Sequence, residues 1–443
     1  MSVKVRFAPS PTGLLHVGNI RTALVNWLFC RQQGGTFLLR FDDTDAARST
    51  EAFAQAIERD LTWLGLTWDE TARQSDRIDR YAQAVEKLKA NGRLYPCYET
   101  GQELELKRKV QLGQGKPPVY DRAGLSLTEG EIAAFEAEGR APHWRFKLNL
   151  PARVEWHDLV KGPLSFDLEA LSDPILIRGD GSFLYTLPSV VDDIDFAITH
   201  IMRGEDHATN SAVQTQLFEA LGGRTPAYAH FSLLTGAGGE GLSKRLGTAS
   251  IQSYRDEDGL EAMSINSLLA RLGSSEPIEP MTSLEPLVAG FDFAKYSRST
   301  AKFDPKDLGV LNAKILHQTD FSAVADRLDG VDEALWNICR NNINKLNDIN
   351  MFQTIVKGPL KPKIEDQSFL NQALVLLPAT PWDETTWKSW TIAVKEQTGA
   401  KGRALFMPLR QAITGMDHGP EMGALLPLID PEIVKARLQG KVA

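Results

Sequence analysis

Residues 3 to 41 constrain the fold more than any other stretch of this chain. Val3, Val5 and Phe7 alternate with Lys4 and Arg6, the period of a half-buried strand. Pro9, Pro11 and Gly13 then break the pattern and mark a loop. Ile20, Leu24, Trp27 and Leu28 recur with a 3.6-residue period, which predicts a helix from about Gly18 to Gln32, stopped by Gly34-Gly35. Thr36 to Phe41 reads as a second strand. A strand, helix and strand of these lengths close as a βαβ unit, so an α/β fold with a parallel sheet is expected.

The rest of the chain divides by pattern. Residues 51–65 and 77–90 look helical. Near Gly92 the pattern changes, and up to about 182 it mixes β-like runs (143–150 and 153–159) with a charged helix around Glu103 to Val110. This part reads as an insertion. The earlier pattern resumes at Phe183 and runs through 198–202. From about 305 the chain looks almost wholly helical. There Thr380-Pro381-Trp382-Asp383 reads as a capping box with proline at the first helical position, opening a helix that ends near Gly399. Trp382, Trp387 and Trp390 read as core residues of a helical bundle and not as base-stacking platforms.

Two segments carry chemistry. The first is Ala8-Pro9-Ser10-Pro11-Thr12-Gly13-Leu14-Leu15-His16-Val17-Gly18-Asn19, which joins the first strand to its helix. A helix N-terminus presents unpaired backbone N–H groups and a positive dipole end, both suited to phosphate. His16 can donate to a phosphate oxygen, Gly18 lets a nucleotide approach the backbone, and Asn19 can bond phosphate or cap the helix. An ordinary strand–turn–helix corner with a capping histidine is the alternative. The second segment is Leu234-Thr235-Gly236-Ala237-Gly238-Gly239-Glu240-Gly241-Leu242-Ser243-Lys244-Arg245. Five of the six residues from 236 to 241 are Gly or Ala, so the loop can close on a ligand and reopen. Lys244 is a compact cation suited to transferring phosphates, although Ser-Lys alone is equally a solvated turn.

Composition sets the outer limits. Hydrophobic residues at 42% and charged residues at 24% exclude a disordered chain, and 443 residues suffice for two to four domains of about 100–200 residues each. There is no internal repeat, no run of about 18 apolar residues and no secretory h-region at the N-terminus. Cys30, Cys97 and Cys339 are far apart, so no disulfide framework is expected and a cytoplasmic location is the default. The net charge of −8 alone argues against a nucleic-acid partner.

The two segments in this order override that argument. Together with Val190-Val191-Asp192-Asp193, Arg203-Gly204-Glu205-Asp206-His207 and Gly402-Arg403-Ala404-Leu405-Phe406, they make the chain resemble a class I aminoacyl-tRNA synthetase of the bacterial glutamyl type. Residues 9–19 correspond to the HIGH-type signature and 241–245 to the KMSKS type. The resemblance implies a Rossmann-like parallel-sheet catalytic domain (1–91 and 183–240). It also implies an α+β connective insertion touching the acceptor stem (92–182), a KMSKS and stem-contact region (241–304), and an all-α anticodon-binding region (305–443).

The resemblance further implies that L-glutamate and ATP form glutamyl-adenylate, whose acyl group passes to the 3′ end of tRNA. In this family tRNA is usually required before the adenylate forms. ATP, bringing Mg²⁺, falls to Pro9, Thr12, Gly13, His16, Gly18, Asn19, Ser243, Lys244 and Arg245, with His16 and Lys244 catalytic. The amino-acid pocket falls to Arg6, Ala8, Ser10, Asp42, Tyr185, Ser189, Arg203 and Asp206. Glutamate carries two carboxylates, and two arginine forks match that demand. Asp42, Asp43 and Asp45 read as substrate binding plus helix capping instead of a metal cluster.

The sequence departs from the family pattern at Gly241 (for lysine), Asp42 (for glutamate) and Ser189 (for asparagine). Some relatives hold zinc in the insertion. Here Cys97 stands alone, with Glu99 and Tyr120-Asp121 at the partner positions, so no metal site and no zinc are expected. Partners are tRNA(Glu), tRNA(Gln) or both, and no membrane; a monomer is expected. On charge alone, Lys107-Arg108-Lys109, Lys357 to Lys363 and Lys401-Arg403-Arg410 read as solvated faces before they read as tRNA contacts. The rivals are a glutaminyl-tRNA synthetase, a truncated tRNA-modifying paralogue and a small-molecule nucleotidyltransferase. The first usually reads Pro-Glu-Pro-Asn where this chain has Pro9-Ser10-Pro11-Thr12.

Overall fold

A computed structural model of the chain describes residues 2–236, 238, 239 and 249–443. Gly241, Ser243, Lys244 and Arg245, named above for the second segment, lie outside the described residues. The chain forms two compact units. One comprises Met1–Tyr254, Ile265–Glu279 and Ser283–Asp304; the other comprises Arg255–Ser264, Pro280–Thr282 and Pro305–Ala443.

In the first unit, β1 (Lys4–Phe7), α1 (Val17–Gln32) and β2 (Thr36–Phe41) make the expected βαβ. The strands are parallel, with Lys4 opposite Thr36 and Phe7 opposite Leu39. Buried side chains surround most of α1, among them Ile20, Leu24, Trp27 and Leu28, because the helix lies inside the unit and not on its surface. Gly34, at φ +59°, takes the left-handed turn that ends it. α2 (Glu51–Trp63) leads to β3 (Glu70–Arg73), parallel to β2, and α3 (Ile78–Ala90) follows.

The insertion supplies β4 (Leu94–Cys97), α4 (Gly101–Gly113), α5 (Glu129–Ala137), β5 (His143–Phe146), the β6–β7 hairpin (Arg153–Asp158 and Gly162–Asp167) and β8 (Ile175–Ile177). β4, β5 and β8 form one antiparallel sheet. After α6 (Thr186–Asp195), β9 (His200–Gly204) pairs in parallel with β10 (Ala227–Phe231) across α7 (Ala208–Ala220). The Thr199 N–H donates to the Lys4 carbonyl at 2.9 Å, so β9 starts beside β1 and continues the parallel layer. β11 (Leu234–Gly236) pairs with β12 (Ala301–Phe303), which brings chain from beyond the second segment back to this unit.

The second unit is helical from Pro305 onward. Its core is an apolar cluster around Trp336, Trp390, Ile349, Phe352 and Leu409. Trp390 is fully buried, and Trp382 and Trp387 pack against the cluster from its edge. The helix expected to open at Pro381 begins at Thr386 instead and runs to Thr398. The Asp383 carboxylate accepts the Thr385 and Thr386 N–H groups at 2.9 and 3.2 Å, so the acidic cap sits three residues later than the sequence pattern suggests.

Candidate active site

Where β1 gives way to α1, the chain walls a cavity of about 760 Å³. Arg6 and Ala8 line it from the strand end, Pro9, Ser10, Thr12 and Gly13 from the loop, and His16, Gly18 and Asn19 from the helix N-terminus. Asp42, Tyr185, Arg203 and Asp206 close the other sides. The carboxyl ends of parallel strands point their loops into one crevice, so a ligand site belongs here.

His16 is the N-cap of α1, as one of the two sequence readings of its role had it. Its ring Nδ1 accepts the Gly18 N–H at 3.1 Å, and Asn19 Oδ1 accepts the His16 N–H at 3.2 Å. With Nδ1 accepting, the neutral ring carries its proton on Nε2, the donor a phosphate oxygen needs. Gly18 serves that ring directly: a Cβ there would lie 3.0 Å from His16 Cε1. The capping pose therefore puts the ring proton on Nε2.

The pocket floor is a buried ionic network. Arg40, fully buried in β2, donates to Asp42 Oδ1 and Oδ2 at 2.7 and 3.2 Å, and to Asp193 Oδ1 at 2.8 Å. Arg6 also reaches Asp193, at 3.2 and 3.5 Å. Asp192 accepts from Tyr81, Gln74 and Arg77. Burial pushes the Asp42 carboxyl up, against the opposing pull of Arg40 and Arg6. Ser189 does not line the cavity: it is fully buried behind it and accepts from Arg40 at 3.3 Å. Its expected place on the pocket wall is thus corrected: its hydroxyl is turned to Arg40, which does not line the cavity either. Asp43 accepts from the Ser75 N–H and hydroxyl at 2.8 Å, while Asp45 pairs with Arg48, so neither faces Asp42 as a ligand partner.

Arg203 differs from the other two arginines. It is buried and donates to Tyr185 Oη (3.1 Å), Ser211 Oγ (2.6 Å) and Gln214 Oε1 (2.6 Å). Among the described residues no carboxylate lies within ion-pair distance of it, and its buried Nε has no hydrogen-bond partner. A buried cation without an anion is costly, and a ligand carboxylate would relieve that cost. Gly204, next in the strand, lies close under Asp206, whose carboxylate would have to turn aside for a Cβ there. Sequence reasoning did not select Arg40, Arg21 or His207. Arg40 left one signal, a lone charge inside the apolar run of β2. Arg21 lines the cavity and donates to the Ser232 and Leu272 carbonyls at 2.6 and 3.1 Å.

Cys97 does not stand alone, as the sequence suggested. The antiparallel register sets it opposite His143, and ligand atoms of Cys97, Glu99 and His143 lie within 4.8 Å of one another. Glu99 Oε2 and His143 Nε2 are buried there without a hydrogen-bond partner. The Tyr120 hydroxyl lies 2.9 Å from Glu99 Oε1 and 3.4 Å from Cys97 Sγ, the Lys107 ammonium lies 3.2 Å from Glu99, and the Arg145 guanidinium sits 4.0 Å over the Tyr120 ring. Lys107 and Arg145 bring positive charge close to the group, which works against a further cation. Burial pushes the Cys97 thiol up to about 11.

Residues 2–310 match the family model for the catalytic domain of class I tRNA synthetases (E and Q), and 333–442 match an anticodon binding domain. The chain belongs to the class I tRNA synthetases of the E and Q group. A glutamate–tRNA ligase 1 of Maricaulis maris is 55% identical over 444 residues, covering 99% of this chain and 100% of that protein. A glutamate–tRNA ligase of Azospirillum brasilense is 55% identical, with full coverage of both. The crystal structure of a glutamate tRNA ligase from Elizabethkingia meningosepticum, in complex with its amino acid, superposes with a TM-score of 0.85 at 25% identity. The match covers 99% of this chain and 98% of that one. The parallel-sheet unit and the helical unit are thus those of a class I synthetase, a family that uses ATP, generally with Mg²⁺. Among the described residues no helix is long and apolar enough to cross a membrane.

Proposed function

We propose that this chain is a glutamate–tRNA ligase, joining L-glutamate to the 3′ end of tRNA(Glu), tRNA(Gln) or both. The observation that carries the substrate choice is Arg203, a buried cation on the cavity wall with no carboxylate partner among the described residues. The full-length likeness to glutamate–tRNA ligases supports the same reading. Arg6, with its charge shared with Asp193, and Tyr185 complete the carboxylate-binding side, and Asp42 and Asp206 face the ammonium. Ala8 and Ser10 shape the floor between them.

In the first step a glutamate α-carboxylate oxygen attacks the α-phosphorus of ATP, and pyrophosphate leaves with the bond electrons. In the second, a terminal ribose hydroxyl of tRNA attacks the acyl carbon and AMP leaves. The substrates supply both nucleophiles, so the protein works by positioning and charge stabilisation. Pro9, Thr12, Gly13, Gly18 and Asn19 place the nucleotide at the α1 N-terminus, and His16 Nε2–H donates to the reacting phosphate. Lys244, flanked by Ser243 and Arg245, contributes the second charge; Mg²⁺ arrives with ATP. Residues 305–443 read the anticodon, the chain acts as a monomer, and no zinc is held.

Labelled glutamate with transcripts of both tRNAs tests the reading. Charging of either supports it, and which one is charged names the partner; glutamine charged in place of glutamate overturns it. Lys244→Ala lowers pyrophosphate exchange, measured with tRNA present, by about 100-fold, the loss expected for a transition-state charge donor. Near-normal exchange overturns the role of Lys244.

A further inference from the structure

Behind Arg203 runs a line of buried side chains that never reaches the cavity. Arg203 Nη2 donates to Ser211 Oγ at 2.6 Å. Ser211 Oγ lies 2.8 Å from His230 Nε2, and His230 Nδ1 lies 2.6 Å from Asp158 Oδ2. Ser211 stands on α7, His230 on β10 and Asp158 at the end of β6 in the insertion, and all three are fully buried. The far end is held hard. Asp158 Oδ1 accepts the backbone N–H groups of Val160, Lys161 and His230 at 3.0, 2.9 and 3.1 Å.

The ends decide the direction of the hydrogen bonds. Guanidinium only donates and an ionised carboxylate only accepts. With the imidazole neutral, donation runs from Arg203 to Ser211, from the Ser211 hydroxyl to His230 Nε2, and from His230 Nδ1–H to Asp158. The serine proton has one rival acceptor, the His207 carbonyl, at the longer distance of 3.2 Å. Aspartate, histidine and serine in this order resemble a hydrolytic triad, yet the serine oxygen is closed to solvent and already accepts from Arg203. It has no route to a substrate carbonyl. What the line can do is fix the plane of the guanidinium, because each bond is directional and charge at both ends strengthens the chain.

We propose that Asp158, His230 and Ser211 form a positioning relay that holds the Arg203 guanidinium in the orientation that receives a substrate carboxylate. The proposal rests on the reading of Arg203 given above. Through Asp158 the insertion takes part in shaping the amino-acid pocket. Ser211, His230 and Asp158 are positioning residues and none of them touches substrate.

The test measures KM for glutamate, KM for ATP and kcat in pyrophosphate exchange, with tRNA present, for Ser211→Ala, Asp158→Asn, His230→Gln and Arg203→Ala. Thermal melting monitors the fold of each. Ser211→Ala and Asp158→Asn are expected to raise KM for glutamate about tenfold, the effect of losing one hydrogen bond to a charged group, with kcat and KM for ATP within about twofold. Asp158→Asn presents a donor to Nδ1 and so reverses the tautomer, which distinguishes the relay from simple packing. Folded relay variants with normal KM for glutamate overturn the proposal, as does a joint loss across all three constants. If Arg203→Ala raises KM for glutamate while the relay variants do not, only the relay fails. If Arg203→Ala leaves it unchanged, the reading of Arg203 fails too. Should Asp158→Asn not fold, Ser211→Ala and His230→Gln decide.

Discussion

The two units each bury an arginine completely, and they treat it in opposite ways. In the sheet unit, Arg40 meets carboxylates: Asp42 and Asp193 in direct hydrogen bonds and Asp192 at 3.6 Å. In the helical unit, Arg437 meets backbone carbonyls, donating to Ile355 and Ile413 at 2.6 and 2.8 Å. Burial lowers the Arg437 guanidinium to about 10, whereas the acidic neighbours of Arg40 outweigh its burial and hold it above its usual value. The difference follows from what each unit is built to do. A helical bundle needs its stray carbonyls satisfied, and one long side chain bridging two helix ends does that. Beside the cavity of the sheet unit, Arg40 is instead fixed by carboxylates, which a buried charge accepts at less cost than neutral partners.

Substitutions at the two arginines measure that contrast. Arg40→Met leaves Asp42 without its direct cation and Asp193 with Arg6 alone, and is expected to cost about 3–5 kcal/mol in chemical unfolding. It also raises KM for glutamate, since Asp42 and Arg6 lose their common support. Arg437→Met leaves two buried carbonyls unpaired and costs about 2–3 kcal/mol, with KM for glutamate unchanged. An Arg437→Met effect as large as that of Arg40→Met, or a shifted KM in Arg437→Met, breaks the distinction.

Next in size is the acid limb of stability. Asp158 is buried, yet the hydrogen bonds from His230 and from backbone amides outweigh that burial and hold its carboxyl at about 2. Its folded value lies below the unfolded value of about 3.9, so its contribution is present above about pH 4 and lost as pH falls toward 2. The contribution amounts to about 2 kcal/mol, and Asp158→Asn should flatten the fall of stability over that range in urea unfolding. An unchanged acid limb in Asp158→Asn would count against it. The smallest expected effect is none: chelator treatment leaves the melting temperature unchanged and elemental analysis finds no stoichiometric zinc. One zinc per chain would overturn the account of Cys97, Glu99 and His143.

Legibility in the sequence tracked distance along the chain. The βαβ unit, the cavity-lining loop after β1 and the capping of α1 by His16 and Asn19 all sit within one short stretch, so residue periods and breakers expose them. The Thr380–Asp383 pattern was equally local but misplaced the helix start, because Asp383 caps through the N–H groups of Thr385 and Thr386. Pairings between distant strands left no local trace. Cys97 meets His143 through the register of β4 and β5, and spacing around Cys97 alone pointed to a solitary thiol. Ser189 was named for the pocket wall, but its hydroxyl meets Arg40 behind the lining residues.

The sequence by itself determined the order of elements, the class of the fold and most of the residue types gathered at the cavity, because strand and helix periods and short loop motifs are read within one turn or one strand. Only the tertiary structure decided which polar group answers which. Arg40 finds Asp193 across 153 residues and His230 finds Asp158 across 72. Those partners are chosen by strand order and helix packing, and a buried charge settles wherever the completed fold brings it an opposite charge or a hydrogen-bond partner.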